Sequence, residues 1–459
     1  MSFRHFWGVT KRADLLASLN APAFEAAYQP AAPTAQNRYS FRPENVSAHY
    51  QEWPKVIELC LENSNGLMEK RGGALMDTQK DALEKRMRAY FDAQLNWDDF
   101  KSLDYGLIDE QSGFNPQLVR LKAIRAEKFS PERIVRYALR PYDTRWCYYT
   151  AVNPIWNRAR PSLWAQFWNG NEFFVTRFSS SKDDEGVPFY WSPFLSDDHC
   201  LAPDASAFPL RLKKEVPQLD MFSTGQVIRA NLSDSARAYL AALGISNPDG
   251  LDELENGLKA YELVWLHALA IGYSPAYLRE NKDGLQGDWP RIPLPASRAA
   301  LLASAALGKQ IAVLLDTESP LTLTDHLKTI AVLARTDGAQ LNPQQGDFAV
   351  EAGWGHGQSG IVMPGQGKFV AQGEALDIYL NDLVYWQNIP IKVWEYTIGG
   401  YQVIKKWLSY REKKILGRDL TVEEAREVTG MARRIAALIA LEARLDENYQ
   451  QIQVNAYRI

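Results

Sequence analysis

The sequence predicts an α+β fold: a helical N-terminal region over residues 1–127, then a mixed α/β region over 128–459 that closes on a long helix. Three observations predict it. Apolar residues recur at helical spacing in the first region, as at Leu83, Met87, Tyr90 and Phe91. Short aromatic and β-branched runs, punctuated by Asn, Gly, Ser and Asp, take over between 134 and 230. A capped helical pattern returns at Thr421. Helices and strands are segregated, without the regular βαβ alternation of a doubly wound sheet.

Taken in order, Lys11–Leu19 reads as a short amphipathic turn, followed by a Pro- and Ala-rich loop through Pro30 and Pro33. Trp53–Met68 and Gln79–Leu95 are expected as helices from their spacing. Ser130-Pro131-Glu132 places an N-cap before a proline, so a new helical element starts there, and the domain boundary falls just before it. RWCYYT (145–150), EFFVTRF (172–178) and VPFYWSPFL (187–195) are expected strands, separated by NGN at 169–171 and SSSKDDEG at 179–186. SDSARAYLAALG (233–244) reads as a helix stopped by Gly244, and Tyr261–Ile271 as a second, apolar one. WPRIPLP (289–295) is proline-fixed and extended, Ala296–Leu315 is helical, and 345–403 is short strands and turns. Thr421 caps a helix expected to run to about Tyr449.

At 459 residues the chain has room for two or three domains. Its 46% hydrophobic and 23% charged residues belong to a globular rather than a disordered class. The net charge of −4 means that any nucleic-acid binding has to come from local patches. Cys60, Cys147 and Cys200 form no CxxC pair, so neither a disulfide framework nor a cysteine zinc site is supported, which fits a reducing, cytoplasmic setting. The opening MSFRHFWGVTKRADLL lacks the apolar stretch of a signal peptide. AALLASAALGKQIAVLL is interrupted by Lys309 and Gln310 and reads as a buried helix, so no membrane partner is expected.

The densest chemical signal is RYALRPYDTRWCYYTAVNPIWNRAR, residues 136–160. Arg136, Arg140, Arg145, Arg158 and Arg160 interleave there with Tyr137, Tyr142, Trp146, Tyr148, Tyr149 and Trp156, and Asp143 is the one acid. Guanidinium groups fork onto phosphates or base edges, and flat rings stack on bases or pack beneath arginines. The competing reading is a core strand, WCYY, flanked by arginines that reach solvent. A second basic cluster lies in GYQVIKKWLSYREKKILGR: Lys405, Lys406, Arg411, Lys413, Lys414 and Arg418, opposed by Glu412. On a helix, Val403, Trp407 and Leu408 face inward and the cations form either a phosphate-contact surface or an ordinary solvated face.

Other motifs weigh less. Asn153-Pro154-Ile155-Trp156 approaches the Asn-Pro-Pro-aromatic tetrapeptide of amino-methyltransferases, but has isoleucine at the second proline and no cofactor-cradling glycine loop before it. The glycine-rich stretch Gly353–Gly360 fits neither a dinucleotide loop nor a Walker loop and reads as tight turns between strands, with His356 able to face a ligand. His199, beside Asp197, Asp198 and Cys200, reads as a polar turn rather than a metal site. His267 on its apolar helix reads as a core histidine. Abundant Trp and Tyr also suit a carbohydrate-binding protein, although here they sit inside apolar runs.

Several of these segments, in order, resemble the C-terminal specificity (target-recognition) region of type ISP restriction–modification enzymes. They are YALRPYDTRWCYY with NPIWNRARPSLW, NGNEFFVTRF, WPRIPLP, GWGHGQSG, and VWEYTIGGYQVIKKWLSYRE followed by LGRDLT. FWGVTKRADLL resembles the stretch that follows the adenine-specific methyltransferase core in those enzymes. The resemblance implies residues 1–127 following such a core and residues 128–459 forming a DNA target-recognition domain. It also implies duplex DNA as partner, with Arg140, Arg145, Arg158, Arg160, Arg177, Lys405, Lys406, Arg411, Lys413 and Lys414 on or beneath the DNA face. The family's helicase, nuclease and methyltransferase motifs are missing here. A separately encoded subunit is therefore expected to supply them, or they are absent because the gene is split or truncated. S-adenosylmethionine is expected on the partner methyltransferase, and no cofactor, metal or catalytic residue is expected in this chain. The alternative is that the chain is itself an S-adenosylmethionine-dependent DNA methyltransferase, or a fragment of one, using Asn153 to Trp156.

Overall fold

The computed structural model describes residues 46–458 except 112, 181–184, 216–225 and 359–360, together with 2–3, 11–20, 29–30, 33 and 39. The Phe6–Thr10 part of the opening motif, most of the proline-rich loop after it, and the centre of the 179–186 loop lie outside the described residues.

The fold is mixed α+β with several small sheets. In one sheet, Ser64–Asn65, Ser206–Pro209, Phe173–Thr176 and Tyr190–Ser192 lie side by side, all antiparallel. In a second, Met76–Asp77, Asp143–Tyr148 and Ile134–Arg140 are antiparallel, and Leu195–Ser196 adds a parallel edge. The chain from 190 to 196 thus passes from one sheet into the other. Residues 64–77 contribute an edge strand to each, so strand pairing crosses the position placed between 127 and 128. A third sheet, in the order Val332–Arg335, Val384–Pro390, Ala375–Tyr379 and Phe369–Gln372, buries Trp386, Ile378 and Ile389.

Helices fill the space between the sheets. Leu263–Gly272 is buried at every position, as its unbroken apolar run requires, and it packs on Arg298–Leu315. Gly308 allows the close crossing, because a Cβ there would run into the Leu266 carbonyl. Arg298–Leu315 has the length and hydropathy of a membrane span, but its Leu301, Ala305, Gly308 and Ile311 face pack inside the protein. The closing helix, Val422–Val454, starts at the expected N-cap. Thr421 Oγ1 accepts from the Glu424 amide while the Glu424 carboxylate accepts from the Thr421 amide.

Two expected helices differ. Trp53–Met68 is not α-helical: it forms one short 3-10 turn at Val56–Leu59, then the strand Ser64–Asn65. Its amides find partners far along the chain instead. Val56 N donates to the Pro290 carbonyl, Leu61 N and Glu62 N to Asn231 Oδ1, and Leu67 N to the Ser196 carbonyl. Tertiary hydrogen bonding overrides local spacing here. Ser130-Pro131 opens a single 3-10 turn, Pro131–Arg133, that leads into a strand. The helix Pro116–Ala126, capped by Asn115, was not anticipated.

Candidate nucleic-acid interface

The two basic clusters of the sequence meet in the fold. Arg145 forks onto Asp143, with Nε and Nη2 donating at 3.1 and 2.8 Å, and Arg411 Nη2 donates to the same carboxylate at 2.8 Å. This joins strand Asp143–Tyr148 to helix Val403–Arg411. Burial works to raise the Asp143 pKa, but the two guanidinium groups outweigh it and hold the carboxyl well below the usual carboxylate range. Aromatic rings complete the junction. Arg145 lies over Tyr410 at 4.9 Å, Arg411 over Trp407 at 4.4 Å, Arg140 over Tyr401 at 5.3 Å and Lys406 over Tyr410 at 4.5 Å. Arg140 also pairs with Asp197 at 2.7 Å, and that carboxylate accepts from Tyr137 Oη at 2.8 Å.

These positions divide the expected residues between exposed and internal ones. Arg140, Arg145 and Arg411 direct their guanidinium groups to internal carboxylates, and Arg177 is buried in an ion pair with Glu185. A side chain so engaged supports a surface rather than touching a ligand on it. Lys406 is largely inside as well: it donates to the Val362 carbonyl, and burial lowers its pKa. Lys413 pairs with Asp419 and Glu351 but remains partly open. Lys405 is half-buried and Lys414 exposed; neither has a hydrogen-bond or ion-pair partner among the described residues. Arg160 is held by Asp198 and by the Gly66 carbonyl. Arg158 is exposed and unpartnered among the described residues.

The surroundings of Arg158 form a braced platform that sequence reasoning missed. Met68 and Arg158 exchange backbone hydrogen bonds at 3.0 and 2.9 Å, and Asn157 N donates to the Glu69 carbonyl at 3.2 Å. Arg71 clamps the loop from beneath, its Nη2 and Nε donating to the carbonyls of Pro154 and Ile155 at 2.8 and 3.1 Å, while its guanidinium covers Phe114 at 4.1 Å. Lys122 Nζ holds the Asn153 carbonyl at 2.6 Å. The buried Glu69 carboxylate accepts from the amides of Arg71, Gly73 and Leu75 at 2.9–3.0 Å. Burial raises its pKa and those amides counter the rise. Glu69→Ala strips three amides of their acceptor, so it should cost about 1–3 kcal/mol, and denaturant unfolding measures it. Lys70-Arg71 before Gly72-Gly73 was the available signal, although nothing in the sequence marked which of the pair faces out.

The Asn153–Trp156 tetrapeptide takes part in this bracing. Trp156 is 1% exposed and donates from Nε1 to the Tyr148 carbonyl, so its ring has no open face on which a flipped base could stack. His199 lies in a turn near Asp198, and no group of three or more potential metal ligands occurs among the described residues. Gly353–Gly360 is partly strand: Gly355–Gln358 pairs with Ile361–Pro364, and His356 is exposed on it. Gly355 lies so close to helix Val403–Arg411 that a Cβ would meet the Ser409 carbonyl.

The sequence profile of the Type ISP C-terminal specificity domain matches residues 58–438, and the chain belongs to that family. A search of curated proteins gives no match. Among solved structures, three similar folds cover 93–95% of this chain. One is a nuclease-deletion mutant of the Type ISP restriction-modification enzyme LlaGI in complex with a DNA substrate mimic (TM-score 0.56, 15% identity). Another is the ATP-dependent Type ISP restriction-modification enzyme LlaBIII bound to DNA (0.58, 13%), and the third is a DrdV–DNA complex (0.55, 16%). The chain spans 37%, 26% and 42% of their respective lengths.

Proposed function

We propose that this chain reads duplex DNA as the specificity component of a restriction–modification or phage-defence system in the cytoplasm. It holds the duplex against an adenine N6-methyltransferase, which binds S-adenosylmethionine and flips the target base. That methyltransferase, with the helicase and nuclease activities, lies outside these 459 residues. Family membership over 58–438 carries the reading. Lys70, Arg158 and Lys414 are exposed and Lys405 is half-buried, and these cations are available for phosphate contacts on a chain of net negative charge.

Contact with about four phosphates gives a slope of roughly −3.6 in log K against log salt. Binding of a labelled duplex therefore weakens about a hundredfold between ~50 and ~200 mM salt. Fluorescence anisotropy measures this, with and without the methyltransferase. Failure to bind at the lower salt in both arms overturns the reading.

A further inference from the structure

We propose that Arg158 is a base-reading residue, with Asn157 beside it; the inference rests on the DNA-recognition reading above. Its basis is a contrast within one segment. Of the five arginines between 136 and 160, four are paired with carboxylates of the chain: Arg140 to Asp197, Arg145 to Asp143 and Arg160 to Asp198 at covered positions, and Arg136 to Glu318 at the surface. Arg158 is the exception, and its exposed neighbour Asn157 also makes no side-chain hydrogen bond to any described residue.

The free pair does not sit on a loose loop. The backbone from Asn153 to Arg158 is hydrogen-bonded at successive residues to Lys122, Arg71, Glu69 and Met68, and the Trp156 indole between them is sunk in the core. Such bracing fixes where the two side chains emerge, which a surface needing only positive charge does not require. The residue types match the need. Arginine donates two parallel hydrogen bonds to O6 and N7 of guanine, and an asparagine amide pairs with N6 and N7 of adenine. A cation stands beside the pair: the exposed Lys70 lies two residues past the Met68–Arg158 bridge. A phosphate contact there would set the register while Arg158 and Asn157 meet base edges.

The test is selection from a randomised duplex library by the 459-residue chain and by the variants R158K, R158A and N157A, followed by sequencing and affinity measurement on the enriched duplex. Arg158→Lys keeps the charge and loses the fork. It should cost about 5- to 150-fold in preference at one position of the enriched sequence, with binding to unrelated duplex and its salt slope unchanged. Arg158→Ala should relax the same position, and Asn157→Ala a neighbouring one. Selection of the wild-type sequence by both Arg158 variants overturns the inference, as does a uniform loss with the salt slope reduced by about one, which marks a phosphate contact. A wild-type chain that enriches nothing overturns the underlying reading instead. Arg158 is exposed and unpaired, so the thermal unfolding of its variants should match wild type; a variant that unfolds early overturns the assignment of a free side chain.

Discussion

Asp143→Ala lowers the unfolding free energy by about 3–5 kcal/mol, the cost of removing one partner from a buried ion cluster. Asp143 and Arg411 are each 1% exposed, and Arg145 is mostly covered. Deleting the carboxylate leaves two guanidinium groups facing each other in a dry junction with nothing between them. Arg411 has little to fall back on, since its Nε and Nη1 already lack partners and the nearest other carboxylate, Glu427, is 3.9 Å away. Glu427 is 42% exposed and already accepts from Trp407 Nε1 at 3.1 Å. The loss also separates the strand at 143–148 from the helix at 403–411, which this contact joins across the sequence. Asp143→Asn keeps acceptor oxygen and loses charge, and should fall between alanine and wild type. Denaturant unfolding of the three proteins decides the matter; a deficit under about 1 kcal/mol for alanine would place the junction's strength in its rings instead. The acid limb has a definite sign. The Asp143 pKa is depressed in the folded state, so its contribution is present above the unfolded carboxylate value and is lost as pH falls through the folded one.

The same cluster explains what the sequence could and could not reveal. Its composition, arginines interleaved with tyrosines and tryptophans, is what a DNA surface needs, because guanidinium planes match phosphates, base edges and rings. They match carboxylates and rings of the same protein equally well. Asp143 was visible as the one acid in the segment, but Asp197 and Glu185 come from elsewhere in the chain, and pairing across such distances is not written in local spacing. The second basic partner of Asp143, Arg411, reads as surface in the sequence because a run of lysines and arginines on a helix usually is. Four residues past Trp407 and three past Leu408, it lies on the buried side of the helix with them. Family-level features survived better, since ordered segments such as NPIWNRAR and VWEYTIGGYQVIKKW carry packing that depends on many residues at once. Trp53–Met68 failed for the opposite reason: its apolar spacing mimics a helix, while Pro54 and the distant partners of its amides hold it as turns and an edge strand.

Acidification from pH 7 to pH 4 removes about 3 kcal/mol of stability through His267 alone. The ring is fully buried on helix Leu263–Gly272, and its hydrogen bonds fix one neutral tautomer. The Pro293 carbonyl can only accept, so Nε2 carries the proton and donates to it at 2.8 Å. Nδ1 is then the acceptor for Ser304 Oγ at 2.8 Å, and that hydroxyl in turn accepts from Asn448 Nδ2 at 3.0 Å. The chain of bonds ties the closing helix, the helix at 298–315 and the proline-fixed segment at 289–295 to one imidazole. Protonating Nδ1 would place two donors against each other where water cannot enter, and burial lowers the His267 pKa from 6.5 to about 4. Between those values the unfolded chain holds a proton that the folded chain refuses, so stability rises with pH across that window and is level above it. His267→Gln offers a donor and an acceptor but does not titrate. Its stability, measured by denaturant unfolding from pH 4 to 7, should show a slope shallower than wild type by nearly one proton's worth. Parallel slopes would mean that the ring already accepts its proton in the folded protein, and that the Ser304 hydroxyl can reverse to meet it.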